Sequence, residues 1–254
     1  MVAWADGLRT AERWLLGAEC ITCHAAVTDD DELLVCAVCR MRWRAVPAPT
    51  CPICGESTDL GLACRLCVAW PGGFAHVRSA VTLDAEVRRL VHQLKYDGWW
   101  RLADAFALRM VPLLYDAGDA DLVPIPLAPG RARRRGYNQA AHLARALGVR
   151  TGHAVQLSRL TRIRETPSQT RLAPDARLSN LDGAFGARAD PRRAVLVDDV
   201  FTTGATLCSA AKALLDAGAR DVRAVTFARA APPLTEAALQ PGFATHFMSR
   251  EDPG

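Results

Sequence analysis

The chain has 254 residues, a formal net charge of +4 and nine cysteines, and 50% of its residues are hydrophobic. This length allows a full α/β core together with a second small module. The mild charge does not by itself indicate nucleic-acid binding, and no apolar run is long enough to span a membrane. Composition therefore predicts a globular protein without membrane insertion.

Residues 1–16 carry charged side chains among apolar ones. Asp6, Arg9, Glu12 and Arg13 interrupt the apolar residues, a pattern that excludes a signal peptide and is typical of an amphipathic helix. We therefore expect a leader helix before the first cysteine, and a cytoplasmic protein.

Eight of the cysteines form four C-x-x-C pairs before residue 70. In a reducing compartment such pairs are typical of metal knuckles, because two sulfurs three residues apart can share one tetrahedral ion. Twelve residues separate the first two pairs and nine separate the last two, gaps that suit a short hairpin. We therefore favour two consecutive structural zinc sites in a module over residues 1–70. The expected ligands are Cys20, Cys23, Cys36, Cys39, Cys51, Cys54, Cys64 and Cys67.

A second arrangement of the same cysteines stays open. An eleven-residue gap separates the second pair from the third, so Cys36 and Cys39 could instead join Cys51 and Cys54 inside an outer site. In either arrangement sulfur fills all four positions around each ion. This indicates a structural metal that leaves no position for water or substrate.

Two groups of tryptophans are candidates for contact with nucleic acid or a partner. Trp43 lies among three arginines, Arg40, Arg42 and Arg44, and a ring beside cationic side chains suits such a surface. The pair Trp99-Trp100 lies in a predicted helix, where two tryptophans are more often part of the core.

After a boundary at Pro71-Gly72-Gly73, strands and helices alternate along residues 71–230. This alternation predicts a parallel sheet with helices on both faces and ligands at the carboxyl ends of the strands. Residues 231–254 are predicted to form a loosely ordered tail. The expected strands are Phe74–Leu83, Asp121–Ile125, Val195–Val197 and Val222–Phe227. The expected helices are Asp84–Tyr96, Trp99–Tyr115, Arg135–Leu147 and Leu207–Leu215.

An arginine-rich segment follows the second predicted strand. The proline-bounded sequence after Ile125 predicts a loop that carries four arginines, Arg131, Arg133, Arg134 and Arg135. Guanidinium groups at the carboxyl end of a strand suit a pyrophosphate or a DNA phosphate. Read alone, the segment fits a solvated basic loop equally well.

A long polar stretch follows, without clear periodicity. Such a segment inside a compact domain is unusual unless it closes over a site, so we expect a lid. The lid residues are Arg162, Arg164, Gln169, Arg171, Arg177 and Asn180.

The most informative segment is Val195-Leu-Val-Asp-Asp-Val-Phe-Thr-Thr-Gly-Ala-Thr206. A buried strand leads to Asp198 and Asp199, then to a turn rich in hydroxyl groups, then to a helix. A turn of this kind directs backbone N–H groups and a helix N-terminus at a phosphate, and we expect Gly204 to let the backbone approach it closely. The string resembles the binding signature for phosphoribosyl pyrophosphate (PRPP) of type I phosphoribosyltransferases.

Further motifs resemble the ComF family of competence-associated proteins over nearly the whole chain. The four knuckles resemble its double zinc ribbon, and Leu94-Lys-Tyr-Asp-Gly98 is similar to its Lys-Tyr-x-Gly element. Arg135-Gly-Tyr-Asn-Gln139 is similar to its Arg-Gly-aromatic-Asn-Gln box. A third stretch is similar to the family's Thr-x-x-Gln-x-x-Leu…Arg-x-x-Asn…Phe element. Its matching residues are Thr166, Gln169, Leu172, Arg177, Asn180 and Phe185.

The resemblance implies a type I phosphoribosyltransferase-like α/β domain and a role in the uptake or processing of single-stranded DNA during natural transformation. Our first hypothesis is an enzyme, a phosphoribosyltransferase that uses PRPP and Mg²⁺. Asp198 and Asp199 would hold the ribose hydroxyls, with Asp199 as a base, and the arginine segment would face pyrophosphate. The turn that would bind the 5′-phosphate consists of Thr202, Thr203, Gly204, Ala205 and Thr206.

Two other functions are compatible with the same residues. One is a non-catalytic module that binds single-stranded DNA or a competence helicase, and the other is a regulator that senses PRPP. A site that serves only polyanions gains nothing from Asp198 and Asp199, since carboxylates repel phosphates unless a metal or ribose is present. The acid pair therefore favours an intact PRPP site.

Overall fold

The computed structural model describes residues 19–27, 33–57, 64, 66–67, 70–164 and 183–230. Three of the predicted features fall wholly or partly outside these residues. The leader helix over residues 1–16 and the tail over 231–254 lie outside them entirely. Of the lid, Arg162 and Arg164 are described, whereas Gln169, Arg171, Arg177 and Asn180 are not.

The predicted parallel α/β sheet is confirmed. Strands β1 (Phe74–Thr82), β2 (Asp121–Pro124), β5 (Ala194–Phe201) and β6 (Val222–Arg229) form one sheet in the order β1-β6-β5-β2. All three neighbouring pairs of strands are parallel. A small antiparallel hairpin consists of β3 (Leu160–Arg162) and β4 (Phe185–Ala187).

The helices differ from the predicted ones in two places. The expected helix Arg135–Leu147 begins only at Gln139, because Gly136 takes a left-handed conformation (φ 77°) that ends a separate, earlier helix at Arg135. Trp99 and Trp100 form a turn before a helix that begins only at Leu102. The helices are α1 (Ala37–Met41), α2 (Ala85–Tyr96), α3 (Leu102–Met110), α4 (Pro129–Arg135), α5 (Gln139–Thr151) and α6 (Ala205–Asp216). Within the described ranges, none of them has the length and apolarity needed to cross a membrane.

The sheet is buried on both faces, and the central strand β5 shows the alternation that this requires. Val195 and Val197 belong to the hydrophobic cluster beneath α2, α3 and α5, whereas Leu196 belongs to the cluster beneath α6. The residues around Cys20–Cys39 and those around Cys51–Cys67 form two cysteine modules. Each module contributes one tryptophan to one of these hydrophobic clusters. Trp43 is buried in the first cluster and Trp70 packs against the second. The boundary at residue 71 stays a prediction, since both modules share contacts with the α/β core.

The outer edge of β1 is covered by the cysteine modules. The N–H of Val77 donates to the carbonyl of Ile53 at 2.7 Å, and the N–H of Thr82 donates to the carbonyl of Arg44 at 2.8 Å. Two of the backbone donors that an edge strand would otherwise present are therefore satisfied.

A buried ionic network closes the amino end of the sheet. Arg159 and Asp121 are each 3% exposed and lie 3.2 Å apart, Nη1 to Oδ2. The other terminal nitrogen of Arg159 donates to the backbone carbonyls of Asp190 and Arg192, at 2.9 and 2.7 Å. This network ties the segment before β3 to the segment before β5.

Candidate active site

The acid pair lies near the carboxyl end of β5, as predicted, although the strand continues through both acids to Phe201. Asp199 is 4% exposed in its side chain and forms an ion pair with the ammonium of Lys95 on α2. Its other oxygen accepts a hydrogen bond from Nε2 of Gln139 at 3.2 Å. Asp198 accepts a 2.9 Å hydrogen bond from the backbone N–H of Asp199. Both carboxylates line one cavity.

The two acids differ in their electrostatic surroundings. Burial and the neighbouring charge of Asp199 raise the pKa of Asp198 well above its ordinary value. Burial also acts to raise the pKa of Asp199, but the charge of Lys95 and the hydrogen bonds to Asp199 outweigh it and hold this pKa below its ordinary value. Burial alone would lower the pKa of Lys95, yet the charge of Asp199 raises it. The pair therefore combines one firmly ionised carboxylate with one that protonates readily.

The predicted phosphate turn connects β5 to α6 and borders the same cavity. Thr202 and Thr206 line the cavity, and Gly204 begins α6 with a φ of 80°. The expected reason for Gly204 was close approach of the backbone to phosphate. The structure adds a packing requirement, because a Cβ at this position would lie 2.7 Å from the Trp70 ring and 3.1 Å from that of Phe201. Any other residue would be strained both in its backbone and in its packing.

The arginine segment is a helix and not the predicted loop. Pro129 occupies its first turn, where a missing N–H costs nothing, and Gly136 ends it. One helix face then directs Arg131 and Arg135 into the cavity. Arg133 and Arg134 are exposed and are not among the residues that line it. The four predicted arginines therefore divide into two pairs with different surroundings.

Arg135 connects the arginine helix to the acid pair. It donates from Nη1 to Oε1 of Gln139, and its guanidinium lies 4.8 Å from the ring centroid of Tyr96. Gln139 in turn donates to Asp199, so one chain of contacts joins α4, α5 and β5. The third and fourth members of the predicted Arg-Gly-Tyr-Asn-Gln box also have structural partners. Tyr137 donates to the carbonyl of Leu94, and the side chain of Asn138 both donates to the carbonyl of Ile125 and accepts from the N–H of Ala140.

Sequence reasoning missed the contribution of α2 to the site. Arg88, His92, Lys95 and Tyr96 all line the cavity, and their spacing places them on one helix face. This spacing is a signal that the sequence itself contains, and Lys95 belongs to the predicted Lys-Tyr element. Asp84 begins the helix and accepts from the N–H of Val87 at 2.9 Å, which fixes the start of that face.

The cavity has a volume of about 600 Å³, within the range of small-molecule sites. Two carboxylates border it, those of Asp198 and Asp199. Arg162 of the lid borders it as well, whereas Arg164 is exposed and does not. The cations that line it are Arg88, Lys95, Arg131, Arg135 and Arg162. The excess of positive charge suits a ligand with several phosphate groups.

The favoured pairing of cysteines is confirmed, and the alternative with Cys36 and Cys39 joined to Cys51 and Cys54 is wrong. Two clusters form, in each of which the four Sγ atoms lie within 4.8 Å of one another. Cys23 and Cys36 are 3.7 Å apart, Sγ to Sγ. In the second cluster the distances are 3.6 Å for Cys51 and Cys67 and 3.4 Å for Cys54 and Cys64. Tetrahedral zinc with Zn–S bonds of about 2.3 Å requires sulfurs about 3.8 Å apart, so both sets fit this ion.

The expected surface around Trp43 is wrong, and so is the core position favoured for Trp99 and Trp100, which stay candidates for contact with nucleic acid or a partner. Trp43 is 2% exposed, and its ring packs edge-on against Phe106 and Phe227, so it offers no surface among its arginines. Trp99 and Trp100 are instead 43% and 46% exposed. Trp100 stacks on the ring of His142 with a centroid distance of 5.1 Å. The ninth cysteine, Cys208, is buried as a small residue of the core, and burial raises its pKa to about 12.

The fold and the site together define a protein with a phosphoribosyltransferase-type domain behind two four-cysteine clusters. Residues 133–236 match the family model of the phosphoribosyl transferase domain. These residues include α5, β5, the threonine turn and β6.

Similar proteins extend the match to most of the chain. The competence protein ComFC of Streptococcus pneumoniae is 28% identical over 79% of this chain and 90% of its own length. The DNA utilization protein YhgH of Salmonella typhimurium is 31% identical over 74% of this chain and 87% of its own. The protein belongs to the ComF family, with ComFC and YhgH. The solved structure of TT1426 from Thermus thermophilus covers 52% of this chain and 85% of its own at 16% identity, with a TM-score of 0.32, and is too distant to add to this assignment.

Proposed function

We propose that this protein binds PRPP with Mg²⁺ in the cavity and transfers its phosphoribosyl group to an acceptor. The observation that carries the proposal is that the acid pair, Asp198 and Asp199, lines one cationic cavity together with two threonines of the turn. The turn would receive the 5′-phosphate and the acids the ribose hydroxyls. Arg131 and Arg135 would face the pyrophosphate, for which the guanidinium fork is suited.

The reaction would break the bond from C1 of the ribose to pyrophosphate and form a bond from C1 to a nucleophile. The nucleophile loses a proton, and pyrophosphate leaves with the electron pair. Positive charge develops on the sugar carbon, and the carboxylates stabilise it electrostatically. Mg²⁺, when bound, would neutralise the leaving pyrophosphate. Closure of the lid, of which Arg162 borders the cavity, would exclude water that otherwise hydrolyses the activated sugar.

The environment of the acids favours Asp198 over Asp199 as the base. Asp199 is tied to Lys95 and Gln139, and its pKa lies below the ordinary value. Asp198 has a pKa well above the ordinary value, which suits a group that accepts a proton near neutral pH. We therefore assign the proton transfer to Asp198 and the holding of charge to Asp199.

Calorimetric titration with Mg²⁺ and PRPP tests this proposal. The double variant Asp198→Asn/Asp199→Asn is expected to lose binding that the wild type shows. Asp216→Asn is a matched control, because it removes a carboxylate that is 64% exposed at the far end of α6. Failure of the folded wild type to bind PRPP would overturn the proposal. Binding without turnover of any acceptor would leave the PRPP-sensing regulator as the function.

We further infer that the site serves the handling of single-stranded DNA taken up in natural transformation. The names of the relatives, a competence protein and DNA utilization proteins, support this role. Next to the site, Arg133 and Arg134 are exposed, and Trp99, Trp100 and Tyr137 lie on neighbouring segments. Cationic groups beside exposed rings are what binding of single strands requires. A competence helicase is a further partner compatible with this role.

The salt dependence of DNA binding separates this role from PRPP binding. Arg133→Ala/Arg134→Ala is expected to weaken binding of a single-stranded oligonucleotide and to lower the slope of log K against log salt by about 1 to 2. The affinity for PRPP should not change, since neither arginine lines the cavity. An unchanged slope would remove these arginines from the DNA site.

We propose that both cysteine clusters hold zinc in a reducing, cytoplasmic environment. All the described cysteines are free thiols, and the spacing of both clusters fits a tetrahedral ion. Metal analysis should return about two zinc ions per chain. A single ion would mean that only one cluster is loaded.

A further inference from the structure

Two side chains link the second cysteine cluster (Cys51, Cys54, Cys64 and Cys67) to the phosphate turn. The first link is Trp70, which follows the second cluster in the chain. Its ring stacks on Phe74 with centroids 5.0 Å apart and contacts Phe201 at 6.1 Å. Phe201 is the residue immediately before the turn.

Trp70 also occupies the space beneath Gly204. A Cβ on Gly204 would approach a ring carbon of Trp70 to 2.7 Å and the Phe201 ring to 3.1 Å. The left-handed glycine and these two rings therefore fit together as one packed unit. If Trp70 moves, the turn loses the surface on which it rests.

The second link is Arg229, at the end of β6. Its guanidinium lies 4.2 Å from the ring centroid of Phe201. One terminal nitrogen donates to the carbonyl of Cys54 at 2.6 Å, and the other pairs with Glu56 at 2.6 Å. Arg229 is 4% exposed in its side chain, so these partners stabilise a buried charge. A cysteine of the second cluster and the residue before the phosphate turn thus share one buried guanidinium.

We propose that the second cysteine cluster is a positioning element of the phosphate site, in which Trp70 and Arg229 hold Phe201 and Gly204 so that the turn from Thr202 to Thr206 keeps the shape that binds phosphate. Metal at the second cluster then strengthens phosphate binding, and metal at the first cluster does not. The inference rests on the proposed phosphate site and goes beyond a structural role for zinc.

The first cluster (Cys20, Cys23, Cys36 and Cys39) is the natural control. Its module packs through Trp43 against Phe106 and Phe227, among the residues beneath α3 and α5. Trp43 therefore lies in a hydrophobic cluster on the opposite face of the sheet from Trp70 and Phe201. Two clusters with the same ligands thus differ in what they support.

The experiment compares Cys64→Ser in the second cluster with Cys23→Ser in the first, in the zinc-loaded full chain. The probe is ribose 5-phosphate, which requires the turn but neither pyrophosphate nor Mg²⁺. We expect Cys64→Ser to bind it at least about fivefold more weakly than the wild type, in the usual range of coupling between sites. Cys23→Ser should bind it like the wild type. Equal weakening in both variants, or none in either, would overturn the inference.

Two further variants keep all the cysteines and guard against simple misfolding. Trp70→Ala should weaken ribose 5-phosphate binding, and Trp70→Phe should restore most of it because a ring still fills the space beneath Gly204. Arg229→Lys keeps the charge but cannot reach both Cys54 and Glu56, so it should also weaken binding. Wild-type affinity in Trp70→Ala and Arg229→Lys would remove both residues from the positioning role.

Amide hydrogen exchange distinguishes failure of this inference from failure of the proposed function. Exchange in residues 201–206 should be faster in Cys64→Ser than in Cys23→Ser, and this measurement needs no ligand. If the wild type fails to bind ribose 5-phosphate while this difference is present, the proposed phosphate site is wrong and the coupling stands. If exchange is the same in both variants, the coupling is wrong.

Coupling must also act in the reverse direction. Ribose 5-phosphate should strengthen zinc retention at the second cluster by the same factor by which zinc strengthens its binding. Competition with a chromogenic zinc chelator, in Cys23→Ser and Cys64→Ser separately, measures this. Ligand-dependent retention only in Cys23→Ser, which keeps the second cluster intact, supports the inference. Retention that ignores the ligand in both variants contradicts it.

Discussion

The two ends of the sheet each contain a buried pair of opposite charges, and the two pairs are built differently. At the amino end, Arg159 and Asp121 are each 3% exposed, and the guanidinium also donates to backbone carbonyls. At the carboxyl end, Lys95 is 22% exposed and shares Asp199 with a cavity of about 600 Å³. The closed pair holds segments together, whereas the open pair leaves charge available to a ligand.

A buried ion pair therefore does not by itself indicate whether it serves stability or ligand binding. Asp121 has Arg159 and Arg192 as partners, which satisfy both of its oxygens. Asp199 lies next to Asp198, and its charge contributes to a pKa of Asp198 well above the ordinary value. Natural sites keep such strain where it serves binding or catalysis. Replacing members of the two pairs should therefore divide stability from ligand binding.

The largest effect on stability is expected from Arg159→Met. It leaves Asp121 buried without its fully buried partner, and breaking such a pair costs about 3–5 kcal/mol of the free energy of unfolding. PRPP affinity, measured where the variant is folded, should stay unchanged. Chemical denaturation gives the stability, with Arg188→Met as the control because Arg188 is exposed. A loss as small as that of a surface pair would contradict the structural assignment.

Lys95→Met should cost less at pH 7, about 2–4 kcal/mol, because the lysine is 22% exposed. The pH dependence of the free energy of unfolding tests the role of Lys95 more specifically. In the wild type the pKa of Asp199 is lowered on folding, so its contribution is complete above the unfolded pKa and is lost only as the pH falls through the folded one. Without Lys95, burial raises that pKa, and the variant loses stability as the pH rises above the unfolded value.

The difference in stability between wild type and Lys95→Met should therefore grow as the pH rises from 5 toward 8. Denaturation curves at several pH values for both proteins measure this difference. Parallel profiles would show that Lys95 does not control the ionisation of Asp199.

Asp198→Asn should have the smallest effect on stability and a large effect on binding. The raised pKa of Asp198 means that its ionisation opposes folding as the pH rises, so an amide is expected to be neutral or slightly stabilising. Loss of a hydrogen bond to a charged group costs about 1.5–3 kcal/mol of binding, or about tenfold to a hundredfold in PRPP affinity. A variant that is both less stable and fully able to bind would reverse the comparison between the two ends of the sheet.

The parts of the site that the sequence predicts are local in the chain. The acid pair and the threonine turn lie within nine consecutive residues, 198–206, and the cysteine knuckles specify their own geometry. The contacts that complete the site join distant segments. Gln139 and Asp199 are 60 positions apart, and neither neighbourhood indicates the other. The role of Lys95 likewise depends on how α2 packs beside β5.

Two errors show where local patterns mislead. Trp43 among arginines has the composition of a surface, yet the packing of Phe106 and Phe227 buries its ring. Tertiary contacts override composition at such a position. The arginine segment begins with Pro129-Gly130, which is typical of a loop, although proline is equally suited to the first turn of a helix.

The cysteine modules cover the edge of β1, so the solution behaviour of the protein should depend on the metal content of these modules. Val77 and Thr82 donate to carbonyls of the cysteine modules, so removal of metal would uncover a strand edge as well as loosen the modules. An uncovered edge is a template for pairing with strands of other copies. If both clusters hold zinc as proposed, zinc starvation should therefore favour aggregation of this protein through the uncovered β1 edge.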